Sequence, residues 1–204
     1  MTQTLTGLFD SYDDAGRAVQ DLEAAGVPHR DVSIVGHDKT HQGTDGVSNV
    51  AEPAAQDAGK GAEIGATVGG VGGLLAGLGL LAIPGIGPVV AAGWLAATAA
   101  GAAGGALIGG ATGGLVGALT HAGVSEDDAH VYAEGVRRGG TLVTAKVDEP
   151  LVPTARNILG NDHSVNLGER RHAYQSKGWS KFDETAPAYS DNDIAAERAS
   201  YTRV

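Results

Sequence analysis

Hydrophobic and polar positions divide this chain into three regimes. Near both ends of the first 168 residues, short apolar alternations are separated by charged helical stretches. From Ile64 to Thr120 there is no Asp, Glu, Lys or Arg, and beyond residue 168 aliphatic positions become sparse. The N-terminal regime reads as strand, helix, strand. Thr4 to Phe9 suit a strand, and Ser11 with Asp14 opens a helix whose apolar stripe is Ala15, Val19 and Leu22. Gly26 closes that helix, and Asp31 to Gly36 supply a second strand through Val32, Ile34 and Val35. After the uncharged segment, Ser125-Glu126-Asp127-Asp128 starts a helix with acids at its positive end and Arg137-Arg138 at its negative end, closed by Gly139-Gly140. Thr141 to Val147 then predict a strand, Pro150 to Leu159 a helix, and His163 to Leu167 a last strand. Two β-α-β units imply an α+β, ferredoxin-like domain interrupted by whatever lies between its halves.

The interruption is a glycine pattern. Gly61, Gly65, Gly69, Gly73 and Gly77 recur every fourth residue, as do Gly101, Gly105, Gly109, Gly113 and Gly117. On a helix this spacing paints a stripe along one side where another backbone can approach closely. Ile64, Val68, Val71, Leu75 and Leu78 fall on a separate face. Pro84, Gly85, Gly87 and Pro88 interrupt the segment and predict the turn of a helical hairpin. Residues 62 to 83 would span roughly 33 Å as a helix, about a bilayer core, with Trp94 as an interfacial anchor on the second arm. The pairs Gly61 with Gly117 and Gly77 with Gly101 share a midpoint at Val89. Antiparallel arms would set stripe against stripe, so the ten glycines are the candidate packing and oligomerisation residues. Two destinations stay open: insertion in a lipid bilayer with both termini cytoplasmic, or burial in the shared core of a soluble homo-oligomeric scaffold.

Composition narrows the chemistry. The net charge is −10 over 204 residues, which opposes nonspecific nucleic-acid binding, and there are no cysteines for disulfides, thiolate metal sites or nucleophiles. Met1 to Asp10 lack the basic and apolar runs of a cleavable signal peptide. His37 and His41 have ligand-like spacing but sit in a polar, glycine-containing stretch. His29 and His163 open corresponding strands, where they would meet only across a symmetric sheet. The acids at 126 to 128 are explained by the helix dipole. No catalytic residue, cofactor site or metal site is expected, and no set of carboxylates or Ser-His-Asp grouping stands out.

The segment from Glu169 to Val204 carries six basic and six acidic residues and five of the nine aromatics. Its composition reads as a disordered tail, with Trp179, Phe182 and Tyr189 as candidate docking points for an unidentified protein partner. Asp191 to Ala199 favour a helix on binding.

Gly7-Leu8-Phe9 with Ala15, Ala18, Val19, Leu22 and Gly26, followed by Asp31-Val32-Ser33-Ile34-Val35, resembles the YflT-type general stress protein domain of bacteria. Leu80 to Pro88 and Tyr132 to Val143 are similar to bacterial proteins labelled low-temperature-induced or general stress proteins. The resemblance implies a stress-associated protein containing a glycine zipper and carries over no catalytic residue. The expected organisation is residues 1–37 and 121–168 as two halves of one domain, 38–60 as a polar linker, 61–120 as the glycine hairpin, and 169–204 as a flexible tail. The expected role is a nonenzymatic, membrane-associated, self-associating stress protein. The alternatives are the soluble scaffold and a small-molecule-sensing regulatory domain, the last by fold analogy.

Overall fold

The computed structural model describes residues 2–37, 79–96, 98, 114–161 and 163–201. Strand β1 (Thr2–Phe9) leads into helix α1 (Tyr12–Ala24), where Ser11 Oγ accepts from the Asp14 N–H at 3.1 Å as the sequence signal requires. A 3-10 turn (His29–Asp31) precedes β2 (Val32–Gly36). After β3 (Gly79–Ile83) and β4 (Gly87–Gly93) come α2 (Gly114–His121) and α3 (Glu126–Arg137). Strand β5 (Thr141–Asp148), α4 (Val152–Leu159), α5 (Leu167–Ser176) and α6 (Asp191–Tyr201) complete the described elements.

The five strands form one sheet in the order β1-β5-β2-β4-β3, with every neighbouring pair antiparallel. Strand β5 lies between β1 and β2, so the β1-α1-β2 unit is split by a strand from the far side of the glycine segment. Adjacent residues point into opposite cores. Leu8, Val35, Ala91 and Leu142 pack with α2 and α3, whereas Phe9, Ile34, Ala92 and Val143 pack with α1 and α4. Both faces are covered, which explains why these strands read as nearly continuous apolar runs.

The α+β class stands, and two parts of the expected arrangement do not. The last strand expected at 163–167 is reduced to an isolated bridge, Phe9↔Ser164, with the Val165 N–H donating to the Leu8 carbonyl at 2.7 Å. The chain leaves the sheet there because Asn166 caps α5, its side chain accepting from Gly168 N at 3.1 Å and Glu169 N at 3.2 Å. The ferredoxin-like order is therefore not completed on the β1 side, and the sheet grows beyond β2 instead.

That growth corrects the helical hairpin. Pro84 and Gly85 do make a turn, but a turn between strands, and Gly87 and Pro88 open β4, with Ile83 paired to Gly87 and Gly79 to Ala91. Pro84 followed by Gly85 at φ 73°, with the Ile86 N–H donating to the Ile83 carbonyl at 3.0 Å, is the type II pattern. The symmetry centre is Gly85 rather than Val89. Val89 and Val90 favour extended backbone, and the open edge of β2 supplies hydrogen-bond partners that an isolated helix would not have used. Gly93, at φ 88°, permits the crossing: a Cβ there would lie 2.3 Å from the Val32 carbonyl oxygen. Trp94, expected as a membrane anchor, donates from Nε1 to the Asp31 carbonyl at 3.1 Å and carries Lys146 Nζ 4.0 Å from its ring centroid. It belongs to the folded body. Gly61, Gly65, Gly69, Gly73, Gly77, Gly101, Gly105, Gly109 and Gly113, with the 38–60 linker, lie outside the described residues, and Gly117 lies within α2.

Candidate functional site, a clamp for the C-terminal segment

The segment from 169 to 201, expected from its composition to be a flexible tail, packs on the body through two helices. Its fastening starts from the end of α3, where Glu134, Arg137, Arg138 and Gly139 occupy the last turn and cap. Glu134 is 1 % exposed, and Arg138 Nε donates to its Oε1 at 2.6 Å while Arg137 Nη1 reaches its Oε2 at 3.4 Å. A carboxylate so deeply buried is tolerable because two guanidinium groups satisfy it.

Arg138 has a second carboxylate, which comes from α6. Its Nη1 donates to Glu197 Oε1 at 2.8 Å, and Lys177 Nζ donates to the same carboxylate at 3.0 and 3.1 Å. The Tyr201 hydroxyl also donates to Glu197, and Arg198 donates to the Gly139 carbonyl. Burial works against ionising Glu197, but the hydrogen bonds from Tyr201, Arg138 and Lys177 hold its carboxyl down at about 2. Burial likewise works against the charge on Arg138, and its bonds to Glu197 and Glu134 outweigh it and raise its pKa.

Aromatic rings complete the clamp. The Arg138 guanidinium lies 4.2 Å from the Tyr174 ring centroid, and Arg137 lies 5.0 Å from that of Tyr189 while its Nη2 donates to the Pro187 carbonyl at 2.9 Å. Tyr174 is fully buried, which pushes its phenol up to about 12. Below it, Arg170 makes a two-point contact with Asp10 at 2.8 and 2.7 Å and covers the Tyr201 ring at 3.7 Å, tying the β1–α1 turn to both C-terminal helices.

Between the helices, residues 179–190 cross the β3–β4 turn. A Cβ on Gly85 would lie 2.8 Å from the Asp183 carbonyl oxygen, and one on Gly87 would lie 2.9 Å from Ala188 Cβ. The absence of side chains at those two positions lets the strap lie flat. Phe182 is buried among Ile83, Ile86, Leu115 and their neighbours, and Ile194 is buried against Gly139. Each contributes about 2–3 kcal/mol of apolar burial.

Trp179, Phe182 and Tyr189, expected to meet a separate partner, are thus engaged by this chain: Trp179 edge-on to Tyr174 at 5.7 Å, Phe182 in the core, and Tyr189 under the two arginines. The helix expected at 191–199 is α6, ordered by the body itself. His29 and His163 do not meet. His29 Nδ1 lies 2.8 Å from Glu23 and His163 Nδ1 lies 3.9 Å from Asp14. His37 is buried at the end of β2, and His41 lies outside the described residues. Of the acids at 126–128, Asp128 donates its N–H to the Ser125 cap and pairs with Arg171 at 2.5 Å. The clamp escaped sequence reasoning because its partners are separated by 59 residues; the one local signal was the Glu134-to-Arg138 spacing on a helix.

The arrangement recognises a short helix through a carboxylate, an arginine, one aromatic ring and one aliphatic anchor. It defines an α+β protein whose antiparallel sheet is covered on both faces and fastened by its own C-terminal segment. Residues 4–81 match the family model described as the heat induced stress protein YflT domain, in agreement with the resemblance carried by Gly7 to Val35. No curated protein and no solved structure matches the chain. The matched segment holds β1, α1, β2 and the start of β3, whereas β5, which pairs with both β1 and β2, lies beyond it.

Proposed function

We propose that this chain is a nonenzymatic general stress-response protein that acts by associating with copies of itself through its two glycine runs. The observation that carries the stress role is the family match over residues 4–81. Support for self-association comes from the spacing of Gly61 to Gly77 and Gly101 to Gly117, and from the antiparallel β3–β4 pair, which the chain enters and leaves at the same end. Two glycine stripes leading to and from one end of a strand pair are well placed to pack, first with each other and then between subunits.

Of the two destinations, the assembly is favoured by a specific observation. The turn that was to cross the bilayer sits in the sheet and under residues 183–188, and among the described residues no helix is long and apolar enough to cross a membrane. Gly69→Leu combined with Gly109→Leu tests the proposal. The doubly substituted chain should lose its oligomers in light scattering while keeping the circular dichroism of the folded body, and unchanged oligomers would overturn the glycine reading. Carbonate-resistant pelleting of the intact protein with membranes would instead return the bilayer as its site.

A further inference from the structure

The fastening of α6 is almost entirely a matter of side chains. One aliphatic residue, Ile194, is buried against Gly139, and the remaining hold is Glu197 between Arg138 and Lys177, Arg198 on the Gly139 carbonyl, and Tyr201 under Arg170. Contacts of this kind are specific in geometry, but a helix carrying a single buried anchor opens locally far more readily than the sheet beneath it. Phe182 stays rooted in the core, and the connection from Asp183 to Ser190 can extend roughly 27 Å at about 3.4 Å per residue. The helix therefore has both a well-defined receptor and the reach to leave it.

We propose that the groove formed by Arg138, Gly139 and Lys177 is an interaction surface for α6, and that it accepts α6 from a second copy of this chain in place of its own. Two copies then join by reciprocal exchange of their C-terminal helices. The occupant follows from charge complementarity. The groove offers a guanidinium, an ammonium and a bare glycine; α6 offers Glu197 to the first two and Ile194 to the third. Every contact that α6 itself makes within one copy can be remade between two, while the connection gives up its hold at Pro187, Ala188 and Tyr189 as it extends, so exchange needs no new surface and no new chemistry. Arg138 is the discriminating residue, because its Nη1 bonds to Glu197 while its Nε is held by Glu134 of the same helix.

A charge reversal divided between two copies tests this on the full chain. Arg138→Glu and Glu197→Arg each place like charges across the groove within one copy. In a mixture both junctions become complementary, one as Glu to Arg and the other as the native pair. A tagged Arg138→Glu chain should retain untagged Glu197→Arg chain roughly tenfold more than it retains untagged Arg138→Glu chain, since like-charge contacts penalise wrong pairing. Placing both reversals in one chain restores opposite charges in the closed and the exchanged arrangement alike, so retention of that chain by its own copies should match that of the natural chain. Association through the glycine runs alone would retain all partners equally, so the two ideas fail separately. Equal retention of mixed and like pairs, with both chains folded by circular dichroism, overturns the proposal. If Arg138→Glu does not fold beside Glu134, Lys177→Glu with Glu197→Lys poses the same question at a position that is 45 % exposed. Retention no greater than for the like pair overturns it there too.

Discussion

Glu134 holds two arginines from a position with almost no access to water, and replacing it with glutamine measures what that arrangement contributes. Glutamine keeps the shape and one acceptor while removing the charge. Arg138 would keep Glu197 at 2.8 Å, so its guanidinium is not stranded. Breaking a buried pair outright costs about 3–5 kcal/mol, and with the second carboxylate in place we expect Glu134→Gln to cost about 2 kcal/mol. For a chain of this size that lowers the melting temperature by roughly 4–8 °C. Glu197→Gln alone should cost about 1 kcal/mol, because Glu134 remains at 2.6 Å from Arg138 and is the more deeply buried of the two. The double variant is decisive. With neither carboxylate present, Arg138 is a half-stacked cation over Tyr174 with no counter-charge among these partners, and the loss should exceed the sum of the single losses by about 1 kcal/mol or more. Urea unfolding of the four proteins gives the cycle directly. If the two substitutions add to within about 0.5 kcal/mol, Arg138 does not couple α3 to α6 and the clamp is wrongly described.

Two further outcomes follow from the same geometry. Glu197 titrates at about 2 in the folded chain against an ordinary value of 4.5, so its stabilisation is complete above 4.5 and is lost as the pH falls from there towards 2. Amide exchange in α6 should accelerate across that window in the natural chain and much less in Glu197→Gln; equal acceleration in both would assign the acid sensitivity elsewhere. Gly93→Ala forces a side chain onto a φ of 88° and into the β2 backbone, and should cost about 2–4 kcal/mol while sparing β1-β5-β2. Exchange protection should fall in β3 and β4 first, and undiminished protection there would contradict the β2–β4 pairing.

Much of the sheet and its helices was legible in the chain. Ser11 with Asp14, the stripe of Ala15, Val19 and Leu22, the Ser125 cap, and the apolar runs of β1, β2 and β5 are local signals whose periods and caps hold wherever the element ends up. The elements that went astray are those in which a partner distant in sequence decided the outcome. Leu80 to Val90 read as apolar at either period, and the free edge of β2 made them strands. Val165 and Leu167 read as a strand, although the Asn166 cap was available as a warning.

The C-terminal segment shows the division most clearly. Its composition has too few aliphatic residues to form a core alone, and that inference was sound for the segment in isolation. Phe182 and Ile194 nevertheless find pockets already built by the sheet and α3, and Glu197 finds a cation left over from a pair made within α3. By itself the sequence determined which stretches would be helical or extended through their own caps and periods, and it carried the likeness over residues 4–81 to a stress-protein family. Only the tertiary structure decided which edge the glycine-flanked turn would join and that the tail would be fastened. Both depend on hydrogen-bond donors, acceptors and charges that exist only after the rest of the chain has folded.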